Sequence, residues 1–146
     1  MIFLCSVPTG AGAVDVASFE GMVTRDYLEA DFDEREDGTR KMSEESARRV
    51  FFHDCEPETS RWAAAQLRWQ GPRPLLEAAP FREWPDVPMD VILTRDDRSV
   101  DSAWAMAEAA RWLNGRAPIL LPGGHSPFLS HPRLLAETLV RGARGN

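Results

Sequence analysis

"VPMDVILTRDDRSVDSAW", Val87–Trp104, and "PILLPGGHSPFLSHP", Pro118–Pro132, decide how this chain folds. Each contains a short apolar run, Met89–Leu93 and Ile119–Leu121, and each run ends in a polar or glycine-containing loop. Between the runs, Ser102–Leu113 reads as a helix, with Asp101 as its N-cap and Gly115 closing it. Beyond the second run, Ser130 is placed to cap a last helix whose Leu134, Leu135 and Leu139 face the core. Strand, helix, strand, helix at this spacing predicts a parallel α/β unit with a right-handed crossover. In such sheets the functional groups lie in loops beyond the carboxyl ends of the strands. "TRDDRSVD" and "PGGHSP" both leave strand C-termini, so they emerge on the same edge.

His125 follows two glycines, with little side-chain crowding before it and a backbone free to turn sharply. That position suits a general base, and it equally suits a loop histidine bonded to backbone. Asp96, Asp97 and Asp101 all follow the preceding strand. Asp101 reads as the helix cap, which leaves Asp97 as the best partner for the imidazole. A buried aspartate that accepts Nδ1–H fixes the tautomer of the ring and stabilises the imidazolium formed during proton transfer.

Working outward, Met1–Val7 reads as a buried strand ended by the turn residues of "PTGAG". Residues 15–42 are charged and weakly periodic and read as a short helix and an exposed loop. Ser43 caps a helix to about Phe52, with "SEES" at capping-box spacing. Asp54 starts the next helix, with Pro57 tolerated in its first turn, running to about Trp69. The proline-rich "GPRPLLEAAPFREWPDVP" punctuates the chain. The five tryptophans are simplest as packing groups, Trp84 anchoring this linker.

The composition is that of a globular chain of about one domain: 146 residues, 43% apolar and 27% charged. A net charge of −6 argues against nucleic acid as a partner, and no apolar run approaches the ~20 residues of a membrane span. Two distant cysteines fit a reducing, cytoplasmic location. Adjacent residues of "HDCE", His53–Glu56, would have to converge with remote His125 or His131 to complete a zinc set, so no metal is expected. A Cys–His–Asp arrangement using Cys5 is chemically open, but "CSVPTG" lacks elbow-like glycine spacing, and packing is its expected role.

"VPMDVILTRDDRSVDSAW" followed by "PILLPGGHSPFLSHPRLLAETLV" resembles the C-terminal end of the α/β-hydrolase fold. There the last two strands deliver the acid and then the histidine of a triad, in chain order nucleophile, acid, histidine. The matching positions are Asp97 and His125. "MIFLCSVPTGAG" resembles the strand after the nucleophile-bearing strand and helix, and "FFHDCEPETSRWAAAQLR" a cap helix of the small bacterial esterase and hydroxynitrile-lyase-like branch. The resemblance implies three parallel strands with flanking helices and an inserted helical cap. Residues 1–14 would be a core strand and turn, 15–86 the cap and linker, and 87–146 the C-terminal core.

The resemblance also implies serine-type hydrolysis of a small ester or related carbonyl substrate without metal or organic cofactor, and a weak substrate contact from His53 in the cap. Lyase chemistry on the same triad is an alternative. The family's Gly-x-Ser-x-Gly elbow is absent from the 146 residues. The expectation is therefore a truncated chain that starts after the elbow and is inactive alone. The rival expectation is a non-catalytic remnant whose open sheet edge forms a homo-oligomer or pairs with a complementing N-terminal fragment.

Overall fold

The computed structural model describes residues 1–8, 16–71, 73, 77 and 83–144. In chain order the elements are β1 (Ile2–Leu4), α1 (Val16–Met22), α2 (Arg25–Leu28), β2 (Phe32–Glu34), β3 (Arg40–Met42), α3 (Glu44–Val50) and α4 (Pro57–Ala65). There follow β4 (Asp90–Thr94), α5 (Ser102–Trp112), β5 (Ile119–Leu121), α6 (Pro127–Ser130) and α7 (Pro132–Arg144). β1, β4 and β5 form a parallel sheet in the order β1-β4-β5, with Phe3 opposite Val91 and Leu93 opposite Leu120.

β4 organises the core because both of its faces are covered. Val91, Ile92, Leu93 and Thr94 are all buried, and successive side chains alternate between faces. Val91 and Leu93 pack with Val7 against Ala105 and Ala109 of α5 and its C-cap Leu113, spaced every fourth residue. Ile92 packs on the other face with Leu121 and with Leu135 of α7, where Leu134 and Leu139 join it. The result is helix, sheet, helix, as the Met89–Leu93 and Ile119–Leu121 readings require. Asp101 caps α5 by accepting the Trp104 N–H at 2.8 Å, and Gly115 adopts φ +82° just beyond its end.

The segment between β1 and β4 has its own core of Met42, Ala47, Val50, Phe52, Ala63 and Ala64, with Tyr27 and Phe32 against it. Ser43 caps α3, accepting the Ser46 N–H at 3.2 Å. The capping box is incomplete, because its third residue is Ser46, whose Oγ accepts the Asp31 N–H instead.

Four expectations are corrected. The first strand is Ile2–Leu4 only and lies at the sheet edge, with Ile2 37% exposed. Of residues 15–42, the described 16–42 hold two helices and the antiparallel pair β2–β3, not one helix and a loop. α4 begins at Pro57 after Glu56, since the Asp54 carboxylate is engaged elsewhere, and ends at Ala65 rather than near Trp69. Ser130 ends α6 instead of capping α7, and the His131 carbonyl accepts the Leu135 N–H in the first turn of α7. Half of the proline-rich linker, residues 71–88, lies outside the described residues, although Trp84 does meet Phe3 edge-on at 5.3 Å.

Candidate active site

Pairing between β4 and β5 continues past the strands and carries two loops side by side. Arg95 N–H donates to Leu121 O at 2.9 Å and Asp96 N–H to Gly123 O at 3.0 Å. Asp97 then turns back on its own backbone, its Oδ1 accepting Ser99 N–H at 2.7 Å and Val100 N–H at 3.0 Å. Residues before α2 hold the same loop from outside. Thr24 N–H donates to Ser99 O at 3.0 Å, its hydroxyl donates to Arg98 O, and Asp101 N–H donates to Met22 O at 2.9 Å.

Asp97 Oδ2 is thereby fixed 2.9 Å from His125 Nδ1, with the two side chains only 5% and 26% exposed. A carboxylate oxygen accepts, so Nδ1 carries the proton and Nε2 keeps its lone pair free for a base's work. The two residues singled out by the sequence are brought together.

Gly123 and Gly124 are required for a reason beyond turn freedom. Gly123 has φ +95°, and a Cβ there would stand 2.7 Å from Asp54 Oδ2 and 2.8 Å from the His131 ring. A Cβ on Gly124 would stand 2.6 Å from His53 Nε2. The loop is bare because three side chains lie against it. Asp54 Oδ2 accepts Gly124 N–H at 2.7 Å and lies 3.7 Å from His131 Nδ1, while Asp54 Oδ1 is buried without a hydrogen-bond partner. Burial, the strongest influence, raises the Asp54 pKa, but the Gly124 amide, the Ser130 hydroxyl and nearby His53 together bring it below its ordinary value.

His53, expected against substrate, is not among the residues lining the cavity at His125. It donates from Nε2 to Asp96 O at 2.9 Å, bracing the acid loop from the other side. Asp96 is more than a solvated loop acid, since its Oδ2 accepts Gly123 N–H at 3.3 Å. These braces were not foreseen. The adjacent pair His53–Asp54 and the bare Gly123–Gly124 pair were their only sequence signals.

A cavity of about 340 Å³ opens at His125, lined by Cys5, Phe19, Tyr27, Phe51 and Trp104 among others, and among the described residues its lining holds no carboxylate, lysine or arginine. The Phe51 ring lies 5.4 Å from the imidazole, tilted by 37°. Cys5 has φ +47° immediately after β1, is buried, and has a thiol pushed up to about 11, chiefly by burial. Its Sγ, a His125 ring nitrogen and an Asp97 oxygen all lie within 4.8 Å of one another. A larger depression, about 840 Å³, lies by Trp84–Met89 and Trp112–Leu113, at the amino end of β4, away from the acid and histidine loops.

A parallel sheet whose last two strands deliver aspartate and then histidine defines the class, and the comparisons agree. The sequence matches the alpha/beta hydrolase family over residues 2–138, and the chain belongs to that family. It is 26% identical over 147 residues to the alpha/beta hydrolase nvfD of Aspergillus novofumigatus (strain IBT 16806), covering 99% of this chain and 56% of that protein. The crystal structure of the methylesterase MES16 from Arabidopsis superposes with a TM-score of 0.64 at 21% identity, covering 99% of this chain and 58% of that one. The chain thus spans little more than half the length of either relative.

Proposed function

We propose that this chain carries the acid and the base of a serine-type hydrolase of small, neutral esters or related carbonyl compounds. The observation that carries the reading is the buried Asp97–His125 hydrogen bond of 2.9 Å beside a cavity whose described lining holds no carboxylate, lysine or arginine. His125 Nε2 takes the proton of a serine hydroxyl as that oxygen attacks the carbonyl carbon, then returns it to the departing alkoxide. Asp97 accepts Nδ1–H throughout and stabilises the imidazolium. The serine comes from outside these 146 residues, which hold no Gly-x-Ser-x-Gly. The methylesterase name of the Arabidopsis neighbour makes methyl esters the first substrates to try. In this reading residues 15–86 are the cap and linker of the fold and residues 87–146 its C-terminal core, and His53 acts through the acid loop, where it bonds Asp96 O, rather than on substrate.

The 146-residue chain alone is expected to hydrolyse p-nitrophenyl acetate no faster than its His125→Ala variant. Joined to the elbow-bearing half of a relative, it should gain turnover that His125→Ala removes. Turnover by the joined protein that survives His125→Ala would overturn the reading.

A second reading is a non-catalytic subunit that pairs through its sheet. Among the described residues β1 has a neighbour on one side only, β4. Size-exclusion chromatography separates this reading from the first, because a clean monomer at all concentrations argues against self-pairing.

A further inference from the structure

We infer that Cys5, Asp97 and His125 together form a binding site for Zn²⁺. Among the described residues they form a three-donor group, whereas the "HDCE" run does not. The donor types are right: zinc takes thiolate sulfur, imidazole nitrogen and carboxylate oxygen, and three protein ligands with one open position are a common arrangement. The spacing is close to what the ion needs. Zinc–ligand distances of about 2.0–2.3 Å place two donors on a tetrahedral ion roughly 3.3–3.7 Å apart. Here the three donors lie within 4.8 Å of one another, and His125 Nδ1 stands 2.9 Å from Asp97 Oδ2. An ion therefore needs Cys5 to release its thiol proton and His125 Nδ1 to release the proton it gives to Asp97, both to solvent, the histidine to ease away from the aspartate by a few tenths of an ångström, and the sulfur to close by up to about 1 Å.

Two features beyond proximity prepare the site. Asp97 Oδ1 is held by the Ser99 and Val100 amides, the kind of outer hydrogen bonding that orients a metal ligand. Cys5 is held at φ +47°, a conformation uncommon outside glycine, and lines the same cavity as His125. That cavity supplies the open coordination position. An ion bound there engages the imidazole and its aspartate partner, so zinc would silence the general base. This consequence rests on the hydrolase reading, whereas the binding itself does not.

The test is optical and needs no substrate. The metal-free 146-residue chain, titrated with Co²⁺, should bind one equivalent with a thiolate-to-cobalt charge-transfer band and strong tetrahedral visible absorption, both removed by Zn²⁺. Cys5→Ser should abolish the charge-transfer band and weaken binding by at least the roughly 10–100-fold that loss of an outer partner costs. Cys55→Ser should change neither. No saturable binding, or a band that survives Cys5→Ser, overturns the site. If circular dichroism finds Cys5→Ser unfolded, the parent chain decides. Zn²⁺ must then slow alkylation of Cys5 but not of Cys55, as read by peptide mass spectrometry. Equal slowing of both, or of neither, overturns it.

Discussion

Replacing Asp97 with asparagine offers His125 Nδ1 either an amide oxygen in place of a carboxylate or an NH₂ group that it cannot donate to. We expect the ring to lose its fixed Nδ1–H tautomer, visible in the ¹⁵N shifts of His125. In a protein completed with an elbow-bearing half, kcat should fall on the order of 10⁴-fold. A different aspartate governs acid stability. The Asp54 carboxylate is held below its ordinary pKa in the folded chain, so its contribution is complete above the unfolded value of about 4 and is lost as pH falls through the folded value. Asp54→Asn should therefore lower stability by about 1–2 kcal/mol at neutral pH, and the gap in urea midpoint should close as pH drops below about 4. Asp97 and His125 were legible in the sequence because each stands just past an apolar run. Asp54 was not, because its partner Gly124 is 70 positions away, and no local pattern encodes such a contact.

β4 ties the sheet to both helical layers, so its interior is where truncation does most harm. Ile92→Ala should cost about 2–5 kcal/mol in urea unfolding, because Ile92 is 1% exposed and the void would lie between β5 and α7. The elements around β4 were readable because an apolar run, a capping aspartate and a closing glycine mark them, and Asp101 and Gly115 act as that reading requires. The hairpin Phe32–Glu34 and Arg40–Met42 escaped because three-residue strands are too short to display alternation. Its one signal was Asp37–Gly38, with Gly38 at φ +78°. α4 was overextended toward Trp69 because Leu67 and Trp69 prolong the apolar pattern, although both lie beyond the end of the helix at Ala65.

For the molecule as a whole, the parallel order β1-β4-β5 leaves Ile2 partly exposed at one sheet edge. Unpaired edges recruit other strands, and an edge lysine suppresses that pairing. If copies of the chain associate through β1, Ile2→Lys should shift sedimentation velocity profiles toward monomer without lowering helical content. The overall class was legible because the acid and histidine loops leave adjacent strands in order. The way the β1–β4 segment grips those loops was not, since it depends on tertiary approach alone. That grip bears on building chimeras. His53 and Asp54 follow α3, yet they seat the loops that carry Asp97 and His125, and His131 closes the same contact from the far side. Transplanting residues 15–86 from a relative to alter substrate preference would thus import a foreign pair of loop braces. Recombination breakpoints should keep positions 53, 54, 123, 124 and 131 of common parentage.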